Sequence, residues 1–223
     1  MHLVLLGDSI FDNGAYTDGG PDVVTLLNRL LCGRGRASLL AVDGAVTPDI
    51  PGQLDRLEAL AAAASAEGYP VTHLALSIGG NDLLGLLDEL LTAPAGTVVG
   101  ALVQLAAMAD GFQARFESAL DAVVATGLPT VVCTVYEGWF TDPTEREVTR
   151  TALKIFDDAI LQAGWDRRTP VVDLRRVCTE ARDYWNPIEP SAAGGLKIAR
   201  AVLEATEGRG VASPTGRCPS FPA

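Results

Sequence analysis

The sequence predicts a three-layer α/β/α sandwich, flavodoxin-like in architecture, with about five parallel strands. Short apolar runs alternate with longer helix-like stretches from end to end. Such a strand–helix–strand rhythm gives right-handed crossovers and a parallel sheet covered on both faces. A hydrophobic content of 48% in 223 residues is sufficient for one large core. We therefore expect one domain over residues 1–207 and a loosely ordered Gly- and Pro-rich tail over residues 208–223.

Five apolar runs have the length and composition of buried parallel strands, namely His2–Leu6, Ala37–Val42, Val71–Ser77, Thr130–Val135 and Pro170–Leu174. The helical stretches between and after them are Asp22–Leu31, Gln53–Ala66, Asn81–Leu91, Val98–Thr126 and Pro143–Ala163, with a last helix following Ser191. Residues 88–100 and 136–143 are expected to form loops or lids.

The charge and the apolar runs exclude several classes of partner. A net charge of −11 argues against a nucleic-acid or anionic-membrane partner, because both require a basic surface. No apolar run reaches the roughly 18–20 residues of a membrane span. Residues 1–6 lack the basic segment of a secretory signal and run directly into a strand.

The four cysteines lie far apart, without a paired spacing, so they indicate neither a disulfide framework nor a zinc site. Cys133 falls within an apolar strand and is expected in the core, whereas a bridge between Cys178 and Cys218 stays open. We expect a reducing, cytoplasmic location.

Three strand ends carry residues suited to acyl chemistry. Ser9 follows the first strand, Gly44 follows the second and Asn81 follows the third. Ligands of open α/β sheets bind at the carboxyl ends of the strands, so these residues are expected to meet at one edge. The Ser9 N–H, the Gly44 N–H and the Asn81 amide would give an oxyanion three donors. Taken singly, Gly44 is also typical of a turn and Asn81 of a helix N-cap.

These motifs together resemble the SGNH, or GDSL-type, hydrolase family. Residues 7–13 (Gly-Asp-Ser-Ile-Phe-Asp-Asn) resemble its nucleophile block, residues 41–47 its glycine block and residues 79–82 (Gly-Gly-Asn-Asp) its asparagine block. The resemblance covers essentially the whole chain. It implies a flavodoxin-like fold and a metal-independent serine esterase, lipase, thioesterase or acyltransferase.

The last block of that family, Asp-x-x-His, has no histidine here. Aligning on Gly194 puts Glu189 at the histidine position and Asn186 at the aspartate position. Aligning on the aspartate instead uses Asp183 and Asn186, but then Ser191 replaces the helix glycine. We prefer the first register, because its segment leads directly into the final helix.

Neither histidine of the chain is placed to replace the missing base. His2 lies seven residues before Ser9, about 20 Å along an extended strand, and His73 lies eight residues before Asn81. Both belong to the opposite end of the sheet. The Ser-His-Asp mechanism therefore does not transfer intact.

Three interpretations of the site remain open. Glu189 can serve as the base, oriented by Asn186, with a pKa raised by apolar neighbours such as Trp185 and Ile188. The site can instead bind an acyl group with little turnover, or be reused for acyl transfer or a cyclisation. Structurally, Glu189 is also an acid placed favourably before a helix N-terminus.

The sequence does not indicate a cofactor. No phosphate-binding or dinucleotide fingerprint occurs, and Asp43 with Asp82 makes a poor metal site. The expected partner is a small-molecule acyl ester, and the sequence makes no prediction of oligomeric state. Residues 136–140 are consistent either with the wall of an acyl pocket or with a packed loop.

Overall fold

Five parallel strands form one sheet in the computed structural model, which describes residues 1–92, 94 and 96–208. The strand order is β2-β1-β3-β4-β5. The strands are β1 (His2–Gly7), β2 (Arg36–Leu39), β3 (His73–Ser77), β4 (Thr130–Cys133) and β5 (Val171–Val172). The predicted three-layer fold with five parallel strands is confirmed, and each strand lies within one or two residues of its predicted start.

Six α-helices connect and follow these strands: α1 (Val23–Leu31), α2 (Ile50–Ala66), α3 (Gly80–Thr92), α4 (Val98–Val124), α5 (Pro143–Asp166) and α6 (Ala192–Thr206). The loop predicted over residues 88–100 is wrong in extent, because α3 continues to Thr92 and α4 begins at Val98. Among the described residues, no helix is long and apolar enough to cross a membrane. The predicted tail lies outside the described residues from position 209 onward.

The two faces of the sheet carry separate hydrophobic layers. Along β1, Leu3 and Leu5 pack with α1 and α6, whereas Val4 and Leu6 pack with α2, α4 and α5. Successive strand residues point to opposite faces, so a strand buried on both sides must be apolar throughout. Cys133 is fully buried, as predicted.

The strand order predicts where a ligand site lies. The chain moves to one side of β1 to form β2 and then to the other side to form β3. In a doubly wound sheet of this order, the crevice at the carboxyl ends of β1 and β3 is the usual ligand site. Ser9 follows β1 there, and Asn81 follows β3.

Gly7 ends β1 in close contact with β3. Its φ of +128° lies in a region that favours glycine, and a Cβ there would overlap the Ser77 carbonyl oxygen. The buried Gln53 side chain accepts a hydrogen bond from the Gly7 N–H and donates one to the Gly7 carbonyl, both at 2.7 Å. The first residues beyond β1 therefore leave the sheet in one fixed direction.

We expect Gly7→Ala to lower the free energy of unfolding by at least about 3 kcal/mol, because the new Cβ overlaps backbone of β3 and the positive φ adds strain. Gly52→Ala is the matched control. Gly52 is helical and has no atom within 4 Å of a built Cβ, so that change should stabilise α2 by about 0.5–1 kcal/mol. Urea unfolding of both variants is the measurement, and equal midpoints would contradict the assigned contact.

Candidate active site

Ser9 lies in a tight turn directly after β1. The Asp8 carbonyl accepts hydrogen bonds from the N–H groups of Phe11 and Asp12, and the Asp8 carboxylate accepts one from Ile10 N–H at 3.1 Å. These bonds hold the turn around Ser9, which is only 6% exposed. The predicted nucleophile is thus placed at the floor of a crevice on a rigid turn.

A largely apolar cavity of about 100 Å³ opens beside Ser9. Ser9, Asn81 and Glu189 all line it, together with apolar side chains of α3, α5 and the loop after β4, among them Leu83, Val135, Val148, Leu153, Phe156 and Ile188. The structure therefore brings the predicted nucleophile, amide donor and carboxyl group to one cavity. Its apolar wall suits an acyl chain.

Glu189 is held in this cavity by the backbone around it. The Glu189 carbonyl accepts a hydrogen bond from Trp185 N–H, and the buried Asn13 side chain donates one to the carbonyl of the next residue, Pro190. Asn13 Oδ1 also accepts the N–H of Val23, at the start of α1. Asn13 thus ties the loop after β1 to the segment that carries Glu189.

The Glu189 carboxyl faces the Ser9 hydroxyl in a poorly solvated position. Its residue is 7% exposed, and burial raises the pKa of Glu189 to about 7. The negative charge of Asp43 raises this pKa further, while the hydrogen bond with the Ser9 hydroxyl lowers it. A carboxyl with a pKa near 7 exchanges protons readily at neutral pH, which is what a general base requires.

Asp8 is a second buried carboxyl at the same cavity, and sequence reasoning missed it. It is 1% exposed, and burial raises the pKa of Asp8 to about 8, against the lowering effect of the Ile10 N–H and of its own backbone N–H. The negative charges of Glu189 and Asp82 raise this pKa further. Asp8 is therefore mostly protonated at neutral pH. The sequence feature that could have indicated its burial is its position directly before Ser9, at the end of an apolar strand.

Two of the three predicted oxyanion donors are placed with free N–H groups. No hydrogen bond from the Ser9 N–H is found within the described part of the chain. Asn81 Nδ2 donates one hydrogen bond to the Ala45 carbonyl at 2.9 Å, which leaves its second N–H for a ligand. Both residues line the cavity.

Gly44 lies in the neighbouring loop, with φ +80° and open space around it. Asp12 accepts the N–H of Asp43, the residue before Gly44, at 2.9 Å. Among the described residues, Gly44 does not line the cavity. Its part in the oxyanion hole stays a prediction.

Asn186 acts on the backbone of the Glu189 segment. Its Oδ1 accepts the N–H groups of Ile188 and Glu189, each at 2.8 Å. These bonds fix the turn that carries Glu189 and do not reach its carboxylate, so the orienting role of Asn186 stays a prediction. Trp185, expected beside Glu189, instead packs on Tyr16 and donates to Asp18.

Asp183, the alternative aspartate, lies away from the cavity. It is fully buried and pairs with Lys197 at 2.7 Å, and it also accepts the N–H groups of Thr179 and Glu180. A Cβ on Gly194 would overlap the Asp183 carbonyl oxygen, so this glycine permits α6 to pack closely on the segment. The contacts favour the register that uses Gly194 and Glu189.

Both histidines stand at the amino ends of their strands, away from Ser9. His2 Nε2 contacts Ser38 Oγ at 2.9 Å, and His73 Nδ1 contacts Thr72 Oγ1 at 2.8 Å. Burial lowers the pKa of both rings. Neither is available as the base.

The family model of GDSL-like lipases and acylhydrolases matches residues 5–195. The chain belongs to this family. No curated protein sequence matches the chain at a significant level.

Solved structures of lipases and esterases share the fold of this family member at low sequence identity. An extracellular lipase of Streptomyces rimosus has a TM-score of 0.62 at 16% identity, with 92% of this chain and 99% of that one covered. Phospholipase A1 of Streptomyces albidoflavus has a TM-score of 0.61 at 17% identity, covering 92% and 98%. An acetylxylan esterase of Geobacillus stearothermophilus has a TM-score of 0.60 at 21% identity, covering 92% and 93%.

In this GDSL-type family member, the loop after β4 is packed against the protein and also lines the cavity, while the binding of an acyl group there stays a prediction. Tyr136, Glu137, Gly138 and Phe140 line the cavity, and the Tyr136 hydroxyl also donates to the Ile188 carbonyl at 2.7 Å. The loop is thus packed and forms a cavity wall. It also braces the segment that carries Glu189.

The raised pKa of Glu189 predicts how the free energy of unfolding of this family member depends on pH. The folded state holds the Glu189 proton more tightly than the unfolded chain does. The contribution of Glu189 to the free energy of unfolding is therefore fully present at low pH and is lost between about pH 4.5 and 7. Glu189→Gln removes this loss, so at pH 8 we expect the variant to be about 2 kcal/mol more stable than wild type, and nearly equal to it at pH 4.

The measurement is urea unfolding at both pH values. Glu180→Gln is the control, because Glu180 is exposed, pairs with Arg182 and has a lowered pKa. It should not stabilise the protein at pH 8. A Glu189→Gln variant less stable than wild type at pH 8 would show that interactions around Glu189 offset the cost of burying its ionised carboxylate.

Proposed function

We propose that this protein hydrolyses an acyl ester or thioester through Ser9, with Glu189 as the general base. The observation that carries the proposal is that Ser9 and the buried carboxyl of Glu189 line the same apolar cavity, where the Ser9 hydroxyl acts to lower the pKa of that carboxyl. Membership of a family of lipases and acylhydrolases supports the same class of reaction. The acyl chain would lie against the apolar wall.

In the proposed reaction, Ser9 Oγ attacks the carbonyl carbon while its proton passes to Glu189. The resulting oxyanion accepts hydrogen bonds from the Ser9 N–H and the free N–H of Asn81, with Gly44 as the proposed third donor. The carbon–oxygen or carbon–sulfur bond then breaks, and the leaving alcohol or thiol takes the proton from Glu189. Water repeats the sequence on the acyl-serine, which releases the acid and restores both side chains.

A carboxylate base moves charge differently from a histidine. When Glu189 takes the proton it becomes neutral, and the negative charge passes to the oxyanion without forming a neighbouring cation. The stabilisation must therefore come from the hydrogen-bond donors. Because Asp8 has a pKa of about 8, it is mostly neutral at pH 7 and adds little repulsion to the oxyanion.

A cytoplasmic location belongs to the same proposal. Among the described residues, Cys32, Cys133 and Cys178 are free thiols, the first exposed and the other two buried, and free thiols are typical of a reducing compartment. The bridge considered between Cys178 and Cys218 involves a residue outside the described part of the chain. The location therefore depends on the free thiols alone.

A fluorophosphonate probe tests the nucleophile and the base together. The probe reacts with an activated serine, so wild type should be labelled and Ser9→Ala should not. Glu189→Gln keeps the shape but cannot accept a proton, and it should label at least about 100-fold more slowly. The labelling rate of wild type should rise with pH through about 7, since only the ionised Glu189 is active.

Glu180→Gln, with the same change of charge on an exposed acid, should label like wild type. Equal labelling of wild type and Ser9→Ala would favour the alternative, a binding or repurposed protein of the same fold. Glu189→Gln labelling at the wild-type rate would show that Glu189 is structural.

Asn186 is a positioning residue, and its effect should depend on the acceptor oxygen alone. We expect Asn186→Ala to lower kcat/KM about tenfold, because the N–H groups of Ile188 and Glu189 lose their partner and Glu189 is held less firmly. Asn186→Asp retains an acceptor and should recover most of the activity. Steady-state hydrolysis of a short-chain ester is the measurement, and equal losses in both variants would refute the assignment.

A further inference from the structure

The polar residues of the cavity are acidic or neutral. Asp8, Glu137 and Glu189 contribute carboxyl groups, and among the described lining residues there is no lysine, arginine or histidine. A site built for an anionic acyl group or a phosphate-bearing substrate would require the opposite charge. The composition of the wall thus restricts the ligands that this cavity can accept.

Two of these carboxyls present oxygens without a partner. Asp8 Oδ2 and Glu189 Oε2 are buried and accept no hydrogen bond from the described residues. Their residues are 1% and 7% exposed. A Cβ built on Gly80 would lie 3.7 Å from Asp8 Oδ2 and 3.9 Å from Val135, so this oxygen stands beside two other lining residues. Buried acceptors left open in this way are rare unless a ligand completes them.

The surrounding side chains do not neutralise the two carboxyls. Arg115 pairs with Asp82 at 3.8 Å, and Asp82 also accepts hydrogen bonds from Thr47. Asp82 and Asp43 add negative charge near Asp8 and Glu189 respectively. The described part of the chain therefore places two carboxyl groups without a neighbouring cation at the polar end of an apolar cavity.

We propose that the cavity binds a primary ammonium group carried on a short alkyl chain, with the ammonium on Asp8 and Glu189 and the chain against the apolar wall. The inference rests on the proposed function, and it specifies the substrate as an ester with an amine in its acyl part. Since Asp8 and Ser9 are consecutive and both line the cavity, the amine would stand a few bonds from the carbonyl carbon.

An ammonium fits these groups better than the alternatives. It offers three donors and no acceptor, so it can satisfy both open oxygens and supply the missing positive charge. A hydroxyl offers one donor and no charge. A divalent metal ion would need more oxygen ligands than two carboxyls provide.

Binding of the cation should displace a proton from Asp8. Burial raises the pKa of Asp8 to about 8, so the carboxyl is mostly protonated until a positive charge arrives. The groups that act on it electrostatically are Glu189, Asp82, the Cys133 thiol and the Tyr136 hydroxyl. The pKa values of the last two are raised, so they stay neutral, and the released proton comes from Asp8 and from the protonated fraction of Glu189, whose pKa is about 7.

Calorimetric titration with hexylammonium, hexanol and hexanoate tests the proposal, because the three probes differ mainly in the head group. At pH 8 and equal ionic strength, wild type should bind hexylammonium at least about tenfold more tightly than hexanol, and hexanoate least of all. At pH 7, titration in buffers of different ionisation enthalpy should show proton release with hexylammonium and none with hexanol.

Asp8→Asn should bring the affinities for hexylammonium and hexanol within about threefold of each other, as expected if one charged hydrogen bond is lost. Asp55→Asn, an equal change of charge on the exposed face of α2, should keep the wild-type preference. Circular dichroism checks the fold of both variants. If Asp8→Asn does not fold, the three-probe comparison and the proton release of wild type decide.

Wild type that binds hexanol as tightly as hexylammonium, or a folded Asp8→Asn that keeps the full preference, would overturn the proposal. The measurement needs no turnover, so its failure is distinct from failure of the proposed hydrolysis. Unchanged labelling of Glu189→Gln would refute the base and leave the ammonium site standing. If wild type shows no head-group preference but Ser9 is labelled normally, the ammonium site is refuted and the proposed hydrolysis is left standing.

Discussion

The backbone contact between β1 and β3 at Gly7 and Ser77 is the constraint on which the site depends. The Asp8 N–H donates to the Ser77 carbonyl at 3.0 Å, and Gly7 has no room for a side chain against the same oxygen. This contact joins the two strands at the point where the chain order reverses. Ser9 and Asn81 follow it directly, so the proposed nucleophile and the proposed amide donor are positioned by the sheet itself and need no flexible loop to bring them together.

The carboxyl partner reaches the same cavity by a different kind of support. Glu189 lies on an irregular segment, and three side chains from separate parts of the chain fix its backbone: Asn13 through Pro190, Tyr136 through Ile188, and Asn186 from within the segment. Each uses a hydrogen bond to main chain, so the position of Glu189 survives changes in its own side chain. A fold that supports the segment in this way can exchange one proton acceptor for another without rebuilding the loop.

Much of this architecture could be predicted from the sequence, and the failures have physical causes. The strands were predictable because both faces of the sheet are buried, which makes them apolar throughout, and Ser9 and Asn81 followed from the positions where strands end. The burial of Asp8 and the clamp of Gln53 on Gly7 were not predictable. Both depend on tertiary contacts between residues as many as 46 positions apart, and a single Asp or Gln in a sequence does not reveal which backbone group it will meet.

The absence of a histidine from the last block changes the electrostatics of the cavity as a whole. An imidazole base starts neutral and becomes a cation facing the oxyanion, so it provides charge stabilisation along with proton transfer. A carboxylate base provides proton transfer without a positive charge, and before the reaction its negative charge must be buried in the site at a cost in free energy. Burial resolves part of that cost by raising the pKa values of Glu189 and Asp8 to about 7 and about 8, so that the resting site holds protons in place of two negative charges. In the proposed ammonium site, a cationic ligand would resolve the remainder, because it supplies the positive charge that an imidazolium supplies in a Ser-His-Asp site. If Glu189 is the base, as proposed, the site therefore favours substrates that carry a positive charge of their own.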